Sequence, residues 1–207
     1  MLRRGPSDGN HVFLTFDDGP DRDWTPLVLD ILAAAGLHAT FFVIGSHVRA
    51  NPLLARRIAD EGHQLGNHTA THRHPWMMTA RNARMEVRDG GRLIADITGT
   101  RPRYYRPPHG RLRRCMVESA LEDGQVTVLW SLSAVDWGPM GRTAAIRRRL
   151  HRAAPGDIVL LHDGRPGPNR PRNMIAVLPD FIQALPRRGL AAATLPAVDR
   201  PVGLSRS

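Results

Sequence analysis

The sequence contains no lysine. All 29 basic residues are arginines, and against 19 acidic residues they leave a net charge of +10. Such a balance favours anionic polymers in general. The arginines are scattered rather than gathered on one helix face, so codon bias in a GC-rich genome explains them more simply than a dedicated binding surface. Aromatic residues are scarce, at 5%, and no recognisable nucleic-acid module is present, so no nucleic-acid partner is expected. Cys115 is the single cysteine, which excludes an intramolecular disulfide and a zinc site built on several thiolates. No run approaches the roughly 18–20 apolar residues that a membrane span requires. Arg3-Arg4 resembles part of a twin-arginine export signal, but no apolar stretch follows it. It therefore reads as a surface end. The chain as given reads as cytoplasmic, or as a cell-envelope protein if a signal has been removed.

What is present fits one globular domain. The length of 207 residues and the hydrophobic fraction of 42% allow a single sizeable core. Apolar runs at Val12–Phe16, Ala39–Ile44, Gln64–Gly66, Tyr104–Tyr105, Val126–Leu132, Ile158–Leu161 and Ala191–Leu195 read as strands. Helical stretches lie between them: Pro26–Ala35 with Thr25 as cap, Pro52–Glu61 with Asn51 as cap and Gly62 beyond its end, Thr79–Asp96, Leu112–Asp123, Thr143–Ala153 and Asn173–Leu185. About seven strand–helix alternations predict an α/β protein with a parallel sheet. Polar residues fall after many different strands, which favours closure into a barrel over an open sheet. The expected layout is an N-terminal end over 1–11, one catalytic domain over 12–196 and a tail over 197–207. Residues 165–172 read as an exposed Pro/Gly/Arg-rich loop.

Five groups of residues could carry chemistry. Asp17-Asp18-Gly19-Pro20 ends the first strand; Asp and Gly-Pro both favour turns, but two adjacent carboxylates can also divide the tasks of holding a cation and accepting a proton. His68 and His72 have the i, i+4 spacing that, in a helical turn, lets two imidazoles reach one ion. Two histidines with Asp18 as the available carboxylate would make a three-ligand catalytic metal site with an open position; His63 and His74 lie nearby as decoys. Arg106-Pro107-Pro108-His109-Gly110 reads either as a rigid loop or as a device in which Arg106 orients a carboxylate and a backbone N–H faces an oxyanion. Asp136-Trp137 suits a sugar, although such a tryptophan is more often core. His162 follows a buried strand and can be a core histidine or a general acid.

In that order, these motifs resemble the five motifs of the polysaccharide deacetylase family, also called the NodB-homology family, across about Val12–Leu195. The resemblance implies a distorted (β/α) barrel of about seven strands in a single domain. It implies a divalent metal, zinc in most members with Co2+ or other ions also possible, held by Asp18, His68 and His72. Asp17 would be the general base tethered by Arg106, and His162 the general acid. Leu160 would line the acetyl pocket, with His109, Asp136 and Trp137 also on the substrate side. The implied partner is an N-acetylated glycan of chitooligosaccharide or peptidoglycan type; the chain is taken as a monomer. The resemblance leaves two other readings open, an O-acetyl esterase or other amidase on the same site and a glycan-binding relative without turnover. Two positions depart from the family pattern: Ser133 stands where an acid helps tune the catalytic histidine, and His109 stands where tyrosine is frequent.

Overall fold

A computed structural model describes residues 1–165 and 169–197; residues 166–168 of the expected loop and 198–207 of the expected tail lie outside the described residues. Strands and helices alternate along the chain. The first half comprises β1 (His11–Asp17), α1 (Thr25–Ala34), β2 (Thr40–Val43), α2 (Gly45–Ala50), α3 (Pro52–Asp60), β3 (Gln64–Asn67) and α4 (Ala80–Thr98). The second half comprises β4 (Tyr104–Tyr105), α5 (Arg114–Glu122), β5 (Val126–Thr127), β6 (Leu132–Ser133), α6 (Thr143–Leu150), β7 (Ile158–His162), α7 (Pro171–Ile175), α8 (Leu178–Arg187) and β8 (Ala191–Ala193).

Seven strands run in the order β5-β4-β3-β2-β1-β7-β6, and β8 pairs with the start of β1. Every pairing between these strands is parallel. The expected single strand Val126–Leu132 is instead two short strands on opposite edges of the sheet. Four residues, 128–131, join them, and a connection of that length reaches at most about 18 Å. The two edges must therefore curl towards each other, which gives the distorted barrel. Leu2 fills part of the join: its N–H donates to Thr127 O (2.8 Å), and its carbonyl accepts from Leu129 N–H (2.8 Å). The N-terminal residues thus contribute to closure, with Arg3 and Arg4 left exposed.

Strand pleating sorts the side chains. On β1, Val12, Leu14 and Phe16 join the large core that also holds Val28, Leu29 and Leu32 of α1. Phe13 instead joins Phe42, Tyr104, Val128 and Ile158 in a second cluster on the inner side of the sheet. By the same alternation Thr15 and Asp17 face inward from β1, and Leu160 and His162 from β7. The inner face is apolar at the N-terminal end of the strands and polar at the C-terminal end.

Several helix ends differ from expectation. Thr25 is the first residue of α1 rather than its cap; its hydroxyl donates to Asp163 Oδ2 (2.5 Å) and accepts from Asp21 N–H (2.8 Å). Asn51 precedes α3 without capping it, and its amide donates to Pro20 O and His47 O. Helix 173–185 is two helices, with Pro179 in the first turn of α8, where its missing N–H costs nothing. No helix among the described residues is long and apolar enough to cross a membrane.

Candidate active site

Parallel strands place their C-terminal ends together, and the register does so here residue by residue. Asp17 lies opposite His162 on β7, and Val43 opposite Asn67 on β3. Arg106 N–H donates to Asn67 O (2.9 Å) and His68 N–H to Val43 O (3.0 Å). A cavity of about 330 Å3 opens there, lined by Asp17, Asp18, His68, His72, His109, Trp137, Leu160 and His162, together with Gly110, Trp130 and Asn169.

Asp17 and Asp18 have separate surroundings. Asp17 Oδ1 accepts from Arg106 Nη1 at 2.6 Å. The same nitrogen donates to Thr15 Oγ1 (2.8 Å), and Nη2 donates to Leu129 O (3.0 Å). The guanidinium lies 4.0 Å from the centre of the Phe42 ring. Arg106 and both aspartates are buried. Burial draws the Arg106 pKa down, against the opposing pull of Asp17.

Asp18 turns the other way because its backbone is left-handed, with φ of 78°. Its Oδ1 lies 3.4 Å from His68 Nε2 and 3.2 Å from His72 Nε2, yet it is buried without a hydrogen-bond partner. Adjacent ligands on a tetrahedral zinc with bonds of about 2.0–2.1 Å stand about 3.3 Å apart. The three donor atoms therefore fit a metal ion, and an ion accounts for the orphaned oxygen. His68 Nδ1 donates to Arg106 O at 2.7 Å, since a carbonyl only accepts; this leaves Nε2 free to ligate. Burial alone would raise the Asp18 carboxyl, but His68, His162 and His72 outweigh it and hold the group well below the usual carboxylate range. Burial and the neighbouring His68 push His72 down to about 3, so its ring is neutral and able to ligate.

His68 and His72 meet without a helix, contrary to the i, i+4 expectation. Residues 68–74 are irregular, and Thr69 (φ 70°) and His72 (φ 58°) are left-handed. Gly90 on α4 provides the floor: a Cβ there would sit 2.5 Å from Asn67 Oδ1 and 2.6 Å from the Thr69 carbonyl carbon. Of the five described non-glycine residues with positive φ, Asp18, His72 and His109 line this cavity, and Thr69 and Val135 are each next to a residue of the site, His68 and Asp136. Such backbone strain concentrates where a site is held by its surroundings.

Asp136 was expected on the substrate side, but it is fully buried behind the cavity. Its Oδ1 accepts from His162 Nδ1–H and its Oδ2 from His162 N–H, both at 2.8 Å. Burial would lower the His162 pKa, but Asp136 first, then Asp18 and Asp17, raise it to about 9. The acid missing at Ser133 is thus supplied three residues later; Ser133 Oγ merely accepts from Val135 N–H (3.1 Å). Trp137 stands edge-on to His162, with ring centres 5.2 Å apart. Both decoys lie off the metal cluster. His63 accepts from Ala39 N–H in the core, and His74 stacks on His109.

Three supporting residues were not singled out in the sequence. Asn169 Nδ2 donates to Asp18 Oδ2 (2.7 Å), His47 Nδ1 to Asp18 O (2.9 Å), and Asp163 accepts from Thr25 below the turn. Burial pushes the Asp163 carboxyl up to about 7. Only the following Gly164 gives a sequence signal: a Cβ there would fall 2.2 Å from Asp18 O.

A family model described as polysaccharide deacetylase matches residues 4–128. The chain belongs to the polysaccharide deacetylase family. It is 35% identical over 192 residues to a peptidoglycan-N-acetylglucosamine deacetylase of Bacillus cereus, covering 92% of this chain and 88% of that one. It is 36% identical over 207 residues to a chitooligosaccharide deacetylase of Sinorhizobium fredii, covering 94% and 96%. The crystal structure of the Bc1960 peptidoglycan N-acetylglucosamine deacetylase superposes with a TM-score of 0.87 at 31% identity, covering 94% of this chain and 90% of that one. This polysaccharide deacetylase therefore has the fold of its family, and its Asp18, His68 and His72 form a cluster suited to a divalent metal.

Proposed function

We propose that this deacetylase removes N-acetyl groups from GlcNAc-containing glycans and that its metal is zinc, held by Asp18, His68 and His72. The observation that carries this reading is the division of two adjacent carboxylates. Asp18 Oδ1 faces two imidazole nitrogens and no donor, whereas Asp17 Oδ1 is held by Arg106. When bound, the metal supplies Lewis acidity at the acetyl carbonyl and lowers the pKa of a water in the cavity.

The residues of the chain supply the rest. Asp17 takes a proton from the attacking water on Oδ2, the oxygen that Arg106 leaves free. The backbone N–H of His109 faces the developing oxyanion. His162 carries a proton on Nε2 and gives it to the leaving amine, so acetate and a free amine result. Leu160 and Trp137 bound the space for the acetyl group and the sugar. Acetate release from N-acetylchitooligosaccharides and peptidoglycan should be abolished by a chelator and restored by zinc. Chelator-insensitive release, or faster loss of O-acetyl than of N-acetyl groups, would overturn the reading.

Asp136 positions the acid and sets its pKa. His162 delivers its proton only below its own pKa, so the rate should fall as pH rises through that value. Asp136→Asn removes the charge that raises it. The alkaline limb of kcat/KM should move to lower pH, and kcat should drop by about 10- to 100-fold, the usual loss when the partner orienting an imidazole is removed. An unmoved limb would show that another group sets it.

A further inference from the structure

The outer torsion of an aspartate is soft, so Asp18 could turn either oxygen towards the two imidazoles. Asn169 fixes which one. This half-buried residue lies between β7 and α7 and lines the cavity. Its Nδ2 donates to Asp18 Oδ2 (2.7 Å) and to Gly164 O (3.1 Å). A carboxylate and a carbonyl only accept, so the amide must present its nitrogen, and both of its protons are used. The Asp18 backbone is pinned independently. Its N–H donates to Phe42 O (3.2 Å), and its carbonyl accepts from His47 Nδ1 (2.9 Å). Oδ1, facing His68 and His72, is the polar atom of Asp18 left without a hydrogen bond. The segment carrying Asn169 is anchored in turn. Asn169 pairs antiparallel with Trp137, and Arg170 N–H donates to Asp136 O (2.7 Å).

We infer that Asn169 is a positioning residue for the metal: by holding Oδ2 it keeps Oδ1 of Asp18 turned to the imidazoles, and so raises the affinity of the cluster for zinc. The inference rests on the zinc reading above. Without the amide, Oδ2 would be a nearly buried carboxylate oxygen lacking its donor, a costly arrangement. The carboxylate would then turn towards water in the cavity, and its alignment with His68 and His72 would have to be recovered each time the metal binds. Partners of ligating carboxylates act in this way, by orienting the ligand before the ion arrives.

The test is zinc affinity, measured by competition with a chromophoric chelator, for the full chain and for Asn169→Ala, Asn169→Leu and Asn169→Gln. Asn169→Ala and Asn169→Leu should each weaken zinc binding by about 10- to 100-fold, the usual effect of removing the partner that orients a metal ligand. Asn169→Gln keeps the amide one methylene farther out and should recover part of that loss. Leucine fills the space without a donor, so a role in packing alone predicts parent-like affinity for Asn169→Leu. Thermal unfolding of the metal-free proteins, measured alongside, separates a role confined to holding the loop, which would lower Tm and leave zinc affinity at the parent value. Parent-like affinity in Asn169→Ala or Asn169→Leu, or equal losses in Asn169→Gln and Asn169→Leu, would overturn the inference. A parent chain that binds no zinc would instead overturn the zinc reading.

Discussion

Replacing Asp17 by Asn should lower kcat by about 100- to 10,000-fold, the range a positioned general base contributes, while metal and glycan affinity stay close to the parent values. Asparagine keeps the shape, and its carbonyl oxygen can still accept from Arg106 Nη1, which now meets Asp17 Oδ1 at 2.6 Å. What is lost is the ability to take up a proton beside the cavity. Acetate release, zinc content and substrate binding measured on the same preparation would separate these effects. A variant that turns over normally would remove Asp17 from the mechanism. A variant that loses metal would make it a ligand.

Arg106→Ala should be the most destabilising single change near the site. The guanidinium is fully buried and links β1, through Thr15 and Asp17, to Leu129 in the closing segment. Deleting one partner of a buried pair leaves an uncompensated charge and costs about 3–5 kcal/mol. For a domain of this size that lowers Tm by roughly 6–20 °C. Thermal unfolding of the metal-free protein would measure it. Arg106→Ala should cost clearly less on an Asp17→Asn background, because no unpaired carboxylate remains. Equal costs on both backgrounds would show that the pair is not coupled and that Arg106 acts through Leu129 and Phe42 alone.

The chemistry was more legible in the sequence than the geometry. Asp17, Asp18, His68 and His162 could be read because they stand at or just beyond strand ends, which parallel strands bring together, and His72 because of its spacing from His68. The His68–His72 helix was wrong because spacing alone does not distinguish a helical turn from a loop with two left-handed residues, and α4, through Gly90, selects the loop. The strand expected over Val126–Leu132 was a continuous apolar run, but an apolar run does not reveal which sheet edge its residues join; barrel closure divides it between two. Asp136 carried a sugar-binding expectation because it adjoins Trp137, while its contact with His162 spans 26 residues and leaves no local trace. Asn169 is similar: it lies in an arginine- and glycine-rich loop, and only folding brings it to Asp18.

The direct test of separate roles for the adjacent carboxylates is zinc stoichiometry by titration of Asp18→Ala and Asp17→Asn beside the parent chain. The expected result is one zinc per chain for the parent and Asp17→Asn, and none retained by Asp18→Ala. Zinc held by Asp18→Ala, or lost from Asp17→Asn, would contradict the division of labour on which the proposed mechanism stands.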